Sequence, residues 1–425
     1  MQMSFLIDGE GTASVRSDLV GSGKEPLDFA FWNVQGDIVR DNVARYVAET
    51  GESVACWEIG QHYEDRLTAA FAAGQGPDVF YAQRAEAALW GSLGAIASIN
   101  EMAFAPVLSQ MDPRMVDGAR DADARVLGLT YYNGGPFALF AHTNYPAVAD
   151  QDFHSWAGVL DALHRAKRDG LAEHPFLPRW HRSQTGLVWS LICHLASEGV
   201  LGLEQDDADA ILTRVLEFFL ALVDQELVPP ESLDDSGDAP ALARWTSGRH
   251  MLSFTTDYLA MDAAKISGRG VNVVLPLPGG KGLPLMPGHA LLCLRAGIVG
   301  ERRQRAERLL TYLGGPAPDG RLRVHDRWLR ECLFGVPFAQ LEQAPGMRAA
   351  MAGAFAPAHA ERSLQRLTEA RAAAVMSPMT QDPRMLAWTR LADTTIRQRL
   401  MRQRISTPAE ASERLLSTWF SLGGD

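Results

Sequence analysis

The alternation of apolar and polar positions near the start of the chain predicts a β-α-β-α-β unit. Residues 27–32 alternate with the period of a strand, and residues 38–50 repeat apolar side chains at helical spacing. Residues 53–59 form the next strand, residues 63–73 a second amphipathic helix, and residues 79–81 a short third strand. Elements that alternate in this way are typical of a doubly wound α/β sheet.

The same alternation continues along the rest of the chain, with two apolar-to-glycine transitions that we interpret as crossings between domains. The predicted crossings lie in or near residues 130–136 and at residues 276–280. Further predicted strands are 96–99, 125–129, 138–142, 251–254, 271–275 and 290–295, and further predicted helices are 85–93, 184–197, 206–227, 241–248, 258–266 and 302–313. The last hundred residues are predicted to be mostly helical, with proline stops.

At 425 residues the chain is too long for a single hydrophobic core, so its length predicts two domains, which we call lobes. Lobe 1 is predicted to contain residues 27–133 plus 276–318, and lobe 2 residues 134–275 plus 319–425. Residues 1–26 are polar and rich in Gly and Ser, which predicts a disordered segment. The loop 229–240 is predicted to be exposed linker because it is rich in Asp, Gly and Pro.

Composition excludes several classes of function. The formal net charge is −11 (40 basic against 51 acidic residues) and there is no basic stripe, which argues against nucleic-acid binding. The cysteines lie far apart without a CxxC pair, so we predict neither a zinc site nor a disulfide framework but buried free thiols. No run approaches the roughly 20 apolar residues of a membrane span, and the start of the chain lacks the apolar stretch of a secretory signal. Either a signal has been removed from this chain or the protein stays in the cytoplasm.

Several short segments, in a fixed order, carry a resemblance to a known family. They are the strand ending at Trp32, Glu49-Thr50-Gly51, Tyr63–Leu67 with Ala72-Ala73-Gly74, Gly76–Val79, Gly128–Tyr132, Trp245–Arg249, Leu275–Gly280 and Ile405–Ala411. In this order and spacing the chain resembles the family 1 extracellular solute-binding proteins of ABC importers, the group that includes maltose-binding protein. The likeness covers roughly residues 27–417, although Leu195–Gly199 replaces the paired glycines often seen after the second-lobe helix.

The resemblance implies a fold, a function and partners. The implied fold is that of the type II periplasmic binding proteins, two doubly wound α/β lobes joined by a hinge and closing on a solute. The implied function is capture of a carbohydrate or polyol, with the membrane subunits of an ABC importer as partners, no cofactor, no metal and no enzymatic activity. The protein is expected to be a monomer in the periplasm or outside the cell, with the cytoplasm left open by the missing signal.

Candidate solute contacts in lobe 1 follow the carboxyl ends of its strands, where open α/β sheets bind ligands. Aromatic rings suit the flat apolar faces of sugars, and neutral or acidic polar groups suit their hydroxyls. The candidates are Trp32, Asn33, Gln35, Asp37, Tyr81, Gln83, Arg84, Tyr131 and Tyr132. Asp37 is equally suited to cap the helix beginning at Ile38, and Asp78 is expected to fix its own turn.

Lobe 2 and the second crossing supply the remaining candidates. They are Trp180, His181, Thr255, Asp257, Tyr258, Gly288, His289 and Trp388. Trp180 and Trp388 are included because they match in position ligand-contacting aromatic residues of the resembled family, although Trp388 also fits the core face of a helix. The Arg-rich segment 301–308 is interpreted as a solvated helix face with Glu–Arg pairs.

Signals of enzymatic chemistry are weak. Gly23-Lys24 and Gly280-Lys281 lack the Ser or Thr of a phosphate-binding loop, and there is no GxSxG, HExxH or GxGxxG motif. Three alternatives to sugar capture stay open at this point. Asp37 and Asp257 could hold a polyamine or an amino-acid derivative beside aromatic rings, or could act as a glycosidase pair, and the missing signal would suit a cytoplasmic sensor.

Overall fold

The three-dimensional structure is a computed structural model, and it describes residues 15–21, 25–60, 62–182, 186–279, 283–286 and 289–423. Its strands are β1 (Val15–Leu19), β2 (Leu27–Trp32), β3 (Val54–Ile59), β4 (Val79–Ala82), β5 (Ile96–Ala97), β6 (Gly128–Asn133), β7 (Phe137–His142), β8 (Phe176–Pro178), β9 (Leu252–Thr256), β10 (Asn272–Leu275) and β11 (His289–Arg295).

The α-helices connect these strands and make up most of the last hundred residues. They are α1 (Gly36–Thr50), α2 (Tyr63–Ala72), α3 (Arg84–Ser92), α4 (Glu101–Leu108), α5 (Pro113–Gly118), α6 (Pro146–Ala149), α7 (Trp156–Arg168), α8 (Gly186–Ser197), α9 (Ala208–Asp224), α10 (Asp238–Thr246), α11 (Leu259–Ser267), α12 (Gly300–Gly314), α13 (Arg323–Cys332), α14 (Met347–Ala352), α15 (Ala360–Ala373), α16 (Arg384–Thr394) and α17 (Pro408–Ser421). Short 3-10 turns and a π-helical segment, Thr395–Arg402, complete the described part.

The chain divides into two compact units. Unit 1 contains the described residues of 1–133, 289–327 and 336–341, and unit 2 those of 134–288, 328–335 and 342–425. The sequence placed the second crossing at 275/276, whereas the division falls after Gly288. The physical reason is that the segment after β10 still belongs to unit 2, because Met286 donates its N–H to the Val375 carbonyl (2.9 Å).

The sheet of unit 1 has the strand order β1-β3-β2-β4-β11-β5, and β6 pairs with β11. Strands β2, β3 and β4 are mutually parallel, and β11 runs antiparallel to β4, β5 and β6. Helix α1 ends at Gly51, whose φ of 71° is a left-handed conformation that glycine adopts without strain, and Gly51 donates to the Val47 carbonyl. The predicted β-α-β-α-β unit is therefore confirmed. In the register, Trp32 lies beside Ile59, so the carboxyl ends of β2 and β3 share one edge.

The sheet of unit 2 has the order β10-β7-β9-β8, with β8 and β9 parallel and the other pairs antiparallel. Helices α10 and α11 pack against β8, β9 and β10, while α8, α9, α16 and α17 form a helical group. Helix α17 begins with the capping box that the sequence carries at Thr407-Pro408-Ala409-Glu410, in which Glu410 donates its N–H to Thr407 (3.2 Å) and accepts from the Thr407 N–H (2.8 Å).

Predictions about three surface segments need correction. Residues 1–26 were expected to be disordered; 1–14 and 22–24 lie outside the described residues, but Val15–Leu19 form a strand because their backbone pairs with the edge of β3. The loop 229–240 was expected to be exposed, yet Ser232 is fully buried and Asp235 nearly so. The segment 301–308 was expected to be a solvated face. Arg303 does pair with Glu307. The other three arginines bind carboxylates elsewhere in unit 1: Arg302 Nε donates to Asp78 Oδ1 (2.8 Å), Arg305 Nε to Glu52 Oε2 (2.6 Å) and Arg308 Nη2 to Glu52 Oε1 (2.7 Å).

The prediction for the cysteines is confirmed, but the one for Asp78 is not. Asp78 was expected to fix its own turn, whereas its fully buried carboxylate accepts from the N–H of Asp28 in the neighbouring strand β2 (2.8 Å) and pairs with Arg302 of α12. The four cysteines are free and buried, as their apolar surroundings predicted. Burial raises the pKa of the Cys56 thiol to about 12, which keeps it protonated.

Candidate functional site

An aromatic cluster occupies the carboxyl ends of β2 and β4 in unit 1. It consists of Trp32, Tyr63, Tyr81, Tyr131 and Tyr132, with ring centroids 4.9 Å apart for Trp32–Tyr81, 5.6 Å for Trp32–Tyr63 and 5.5 Å for Tyr81–Tyr131. Edge-to-face pairs of this kind contribute about 0.5–1.5 kcal/mol each beyond the area they bury. The structure thus brings together four of the predicted site residues and adds Tyr63, which the sequence analysis had assigned only to a helix.

Hydrogen bonds fix the orientation of these rings. The Trp32 indole N–H donates to the Tyr132 hydroxyl (2.8 Å), and the Tyr63 hydroxyl donates to the Tyr81 carbonyl (2.8 Å). Asn42 donates to the Tyr131 hydroxyl (3.0 Å). Burial raises the pKa of Tyr63 and Tyr81 well above the usual value, so both phenols stay neutral.

Within the aromatic cluster, Trp32 alone is partly exposed to solvent. Tyr63 and Tyr132 are buried, and Tyr81 and Tyr131 are fully so, in contrast to the direct solute contacts that the sequence predicted for Tyr81, Tyr131 and Tyr132. The difference arises because Tyr81 packs edge-to-face against Trp32 and Tyr131 lies behind it. Because the Trp32 N–H is bonded to Tyr132, the accessible part of this side chain is its apolar ring surface.

The loop after β2 exposes polar groups beside Trp32. Asn33 is exposed, and Gln35 adopts a left-handed conformation (φ 52°) at the start of α1. Asp37 is in the first turn of α1, where its charge suits the helix dipole, but Gln35 rather than Asp37 holds the N-cap position. The Asp37 side chain is 97% exposed and pairs with Arg40.

Glu58 is the residue of this edge that sequence reasoning missed. Its carboxylate pairs with Arg40 and lies against Gly36, where an added Cβ would come within 2.6 Å of Glu58 Oε1. A glycine at position 36 therefore allows a carboxylate to approach the amino terminus of α1, a position that favours negative charge. The available signal was its place in the penultimate position of β3, opposite Phe31 in the register.

The segment after β4 is built for structure as much as for binding. Gln83 is the N-cap of α3, and its N–H donates to Glu86 Oε2 (2.7 Å). Burial raises the pKa of Glu86 to about 8. Arg84 was predicted to face a solute, but it is buried and donates from Nε to the Gly118 carbonyl (2.9 Å), with burial lowering its pKa to about 10.

Unit 2 contains a buried polar network around Asp238, which we call the Asp238 network. Arg179 donates from Nε to Asp238 Oδ1 (2.8 Å) and from Nη2 to Oδ2 (3.1 Å), and His181 Nε2 lies 2.9 Å from Oδ1. The Tyr258 hydroxyl donates to Asp238 Oδ2 (3.0 Å) and accepts from Arg179 Nη2 (3.2 Å). Although burial alone would raise the pKa of Asp238, the Arg179 and His181 partners hold it well below its usual range.

The network brings together His181 and Tyr258, both predicted site residues, with two residues that the sequence analysis did not select. Asp238 was assigned to an exposed linker, and Arg179 was only part of the segment around Trp180. The Tyr258 ring lies 4.6 Å from that of Phe334, and burial raises its pKa above the usual value. Because Asp238 lies in the first turn of α10, the helix dipole further favours its charge.

Two predicted aromatic contacts of unit 2 are core residues. Trp180 is buried against Phe219 (5.1 Å between centroids), and its carbonyl accepts from Arg397 Nη1 (2.9 Å). Trp388 is fully buried, and its indole N–H donates to the Leu415 carbonyl (3.0 Å). The prediction that Trp388 stacks on a solute is therefore wrong, because its helix turns that face toward α17.

The strand end after β9 separates the other two candidates. Thr255 is partly exposed, whereas Asp257 is fully buried and accepts from Arg371 Nε (2.9 Å). Desolvation raises the pKa of Asp257 to about 6, against the opposing effect of Arg371. A cavity of about 30 Å³ is lined in part by Thr255 and Arg179.

The structure leaves two candidates at the second crossing largely undescribed. Gly288 lies outside the described residues. For His289 the described part is its backbone, which pairs with Asn133 in the sheet of unit 1. Among the residues that the structure describes, no group of three or more His, Cys, Asp or Glu side chains could hold a metal ion. Within the same ranges, none of the helices is both long and apolar enough to cross a bilayer.

Known structures similar to this chain are sugar-binding proteins. Maltose-bound MalE3 of T. maritima superposes with a TM-score of 0.76 at 15% identity, covering 93% of this chain and 99% of that one. An ABC transporter solute-binding protein of Thermotoga lettingae, bound with α-D-tagatose, gives 0.74 at 16% identity, covering 94% and 100%. The maltose/maltodextrin-binding domain MalE of Bdellovibrio bacteriovorus, bound to maltotriose, gives 0.73 at 13% identity, covering 94% and 100%.

These likenesses establish the fold of the chain. The predicted fold class, two α/β lobes of the solute-binding-protein type, is confirmed over more than nine-tenths of the sequence. No family model matches the sequence, and no curated protein is similar to it in sequence. Function therefore has to be argued from the site itself.

Proposed function

We propose that this protein is the solute-binding component of an ABC importer and captures a carbohydrate or polyol. The observation that carries the proposal is the fixed Trp32 ring at the carboxyl end of β2, the edge at which open α/β sheets bind ligands. An indole whose N–H is already bonded offers an apolar face, which suits the C–H face of a sugar ring. The polar groups of Asn33 and Gln35 follow directly in the chain and suit hydroxyl groups.

The charges of the candidate residues favour a neutral solute over a polyamine. Capture of an ammonium group between Asp37 and Asp257 would need carboxylates with unmatched charge. Asp37 pairs with Arg40, and Asp257 is fully buried against Arg371. Asp257 has no exposed surface, so an ammonium group would have to displace the buried Arg371 to reach it. The exposed Asp37 shares Arg40 with Glu58, so the argument against a polyamine rests on Asp257.

The same residues argue against glycoside processing. A glycosidase acid has to reach the glycosidic oxygen within hydrogen-bond distance. Asp257 has no exposed surface and is bonded to Arg371, so it is unsuited to protonate a substrate. We therefore propose a binding protein without catalytic activity, which would act as a monomer with importer membrane subunits as partners, in the periplasm or outside the cell.

A thermal-shift panel tests the proposal. Because a solute that binds only the folded state stabilises it by mass action, a solute at about 100 times its Kd adds roughly 2.7 kcal/mol. We expect sugars, polyols or glycosides to raise the melting temperature and polyamines and amino acids not to. A shift produced only by polyamines or amino acids would overturn the carbohydrate assignment, and turnover of a chromogenic glycoside would overturn the assignment as a binding protein.

Two tryptophan variants separate the exposed ring from the scaffold. Trp32→Ala is expected to abolish the solute-induced shift, because it removes the exposed ring. Trp57→Phe is the matched control: Trp57 lies in the adjacent strand, buried, with its N–H donated to Asp28 (2.9 Å). It is expected to lower the melting temperature and keep the shift. Equal shifts in the parent and Trp32→Ala would remove Trp32 from the site.

A further inference from the structure

A single buried arginine of unit 2 bonds to residues next to the points where the chain passes between the two units. Besides the crossing at 288/289, these points are flanked on the unit 2 side by Gly134 and Gly135, by the short segment 328–335, and by Glu342. Arg371, in α15, is 8% exposed and contacts residues in or near all three places. We call Arg371 and its partners the Arg371 node.

The guanidinium group uses all of its nitrogens. Nε and Nη2 both bond Asp257 Oδ2 (2.9 and 2.8 Å), and Nη1 bonds Glu342 Oε1 (2.8 Å). Nη2 also donates to the Leu333 carbonyl. A planar fork of donors can satisfy three partners in fixed directions, which an ammonium group on a flexible stem cannot reproduce.

The partners of Arg371 are themselves constrained. Gly135 has a φ of +66°, and a Cβ added there would lie 2.0 Å from Asp257 Oδ1, so the Asp257 carboxylate is packed directly against the first crossing segment. Leu333 has a φ of +58°, a strained conformation that is rare for a bulky residue. Such strain persists only where the surroundings hold the backbone in place, and the bond from Arg371 is one such restraint.

We propose that Arg371 is a positioning residue that fixes the crossing segments on the unit 2 side, and so sets the range of orientations that unit 1 and unit 2 sample. This role does not require Arg371 to contact a solute. Because three of the crossing segments lie at or beside the partners of one guanidinium, loosening it releases these three together, whereas the fold of unit 2 depends on a much larger core.

The test measures the distance distribution between the two units by double electron–electron resonance in protein without solute. Nitroxide labels are placed at Ala48→Cys in α1 and Glu217→Cys in α9, both exposed, while the native cysteines are buried. Arg371→Lys keeps the charge and loses the fork, and we expect a broader distribution than in the parent. Arg366→Lys is the control, since Arg366 also lies in α15 and bonds a carbonyl and a carboxylate, and we expect it to leave the distribution unchanged.

A second variant keeps the test decisive if Arg371→Lys fails to fold. Glu342→Ala removes only the contact at the last crossing and leaves the Asp257–Arg371 pair intact, so we expect a smaller broadening in folded protein. The proposal is overturned, and Arg371 is only a stabilising ion pair, if Arg371→Lys gives the same distance distribution as the parent. If Arg371→Lys does not fold, the same conclusion follows from an unchanged distribution in Glu342→Ala. The measurement needs no solute, so a failed solute screen would leave its result standing.

Discussion

Replacing His194 by phenylalanine should make unit 2 less sensitive to acid. His194 lies in α8 with its ring centroid 4.2 Å from that of Trp156 and 4.4 Å from that of Phe254, and its Nδ1 donates to the Ser190 carbonyl (2.7 Å). A charged imidazolium in this apolar surrounding is strongly disfavoured, and burial lowers the pKa of His194 from 6.5 to about 3. The neutral ring is therefore required for the fold.

The sign and the magnitude follow from linkage. Since the folded pKa is depressed, the unfolded chain binds the proton first, and stability present above pH 6.5 is lost as the pH falls toward 3. Between about pH 7.5 and about pH 5 the unfolded state takes up nearly one proton at this histidine; integrated over pH, this difference in proton binding amounts to about 1.5 pH units, which at 1.36 kcal/mol per unit removes about 2 kcal/mol from the free energy of unfolding. His194→Phe should abolish this loss whatever its effect at neutral pH.

Amide hydrogen exchange of α8 is the suitable assay, because it reports the opening of unit 2 itself rather than of the whole chain. Between about pH 7.5 and about pH 5, the free energy of opening of α8, corrected for the intrinsic exchange rate, should fall in both proteins. The fall should be about 2 kcal/mol smaller in His194→Phe than in the parent. His154→Phe changes an exposed histidine of the same unit and should retain the full parental fall. A parental pH dependence in His194→Phe would refute the assignment.

Three further predictions follow from buried groups. The pKa of Glu86 is raised from 4.5 to about 8, so the protein loses stability as the pH rises through this range. In urea unfolding, Glu86→Gln should therefore be more stable than the parent above pH 8, by up to about 5 kcal/mol, and should show no gain near pH 4.5. Asp238→Asn should lower the free energy of unfolding by about 3–5 kcal/mol, because it leaves Arg179 without its counter-charge. Asp234→Asn, at an exposed ion pair, should lower it by less than about 1 kcal/mol, and equal losses in the two variants would contradict the Asp238 network. Trp388→Phe should lower stability by about 1–3 kcal/mol through the lost buried hydrogen bond and leave the solute-induced thermal shift intact, and a lost shift in a folded variant would place Trp388 in the site after all.

Local patterns predicted the fold well because they record which faces are buried. The alternation in residues 27–32 and the helical repeat in residues 38–50 became β2 and α1. Errors occurred where tertiary partners override composition. Val15–Leu19 carry little apolar signal, yet they form a strand because the edge of β3 offers unpaired backbone groups.

The candidate site was predicted less completely. The strand-end rule selected Trp32, and the structure places its partly exposed ring at the end of β2, because the position of a strand end can be read from the sequence; its contact with a solute stays a prediction. The rule did not distinguish an exposed ring from a supporting one, so Tyr81 and Tyr131 were assigned to the surface although they are fully buried. Asp238 was missed because a carboxylate in a segment rich in Asp, Gly and Pro has the composition of a solvated loop.

By itself the sequence determined the alternation of strands and helices, the presence of two units and the strand ends at which polar and aromatic side chains gather. These features depend on local periodicity, which each segment carries within itself. Only the tertiary structure decided which charges meet. Asp238 with Arg179, Asp257 with Arg371 and Glu58 with Arg40 are pairs whose members are separated along the chain. Ion pairing depends on distance and burial in the folded protein, and neither quantity is encoded in the spacing of residues along the chain.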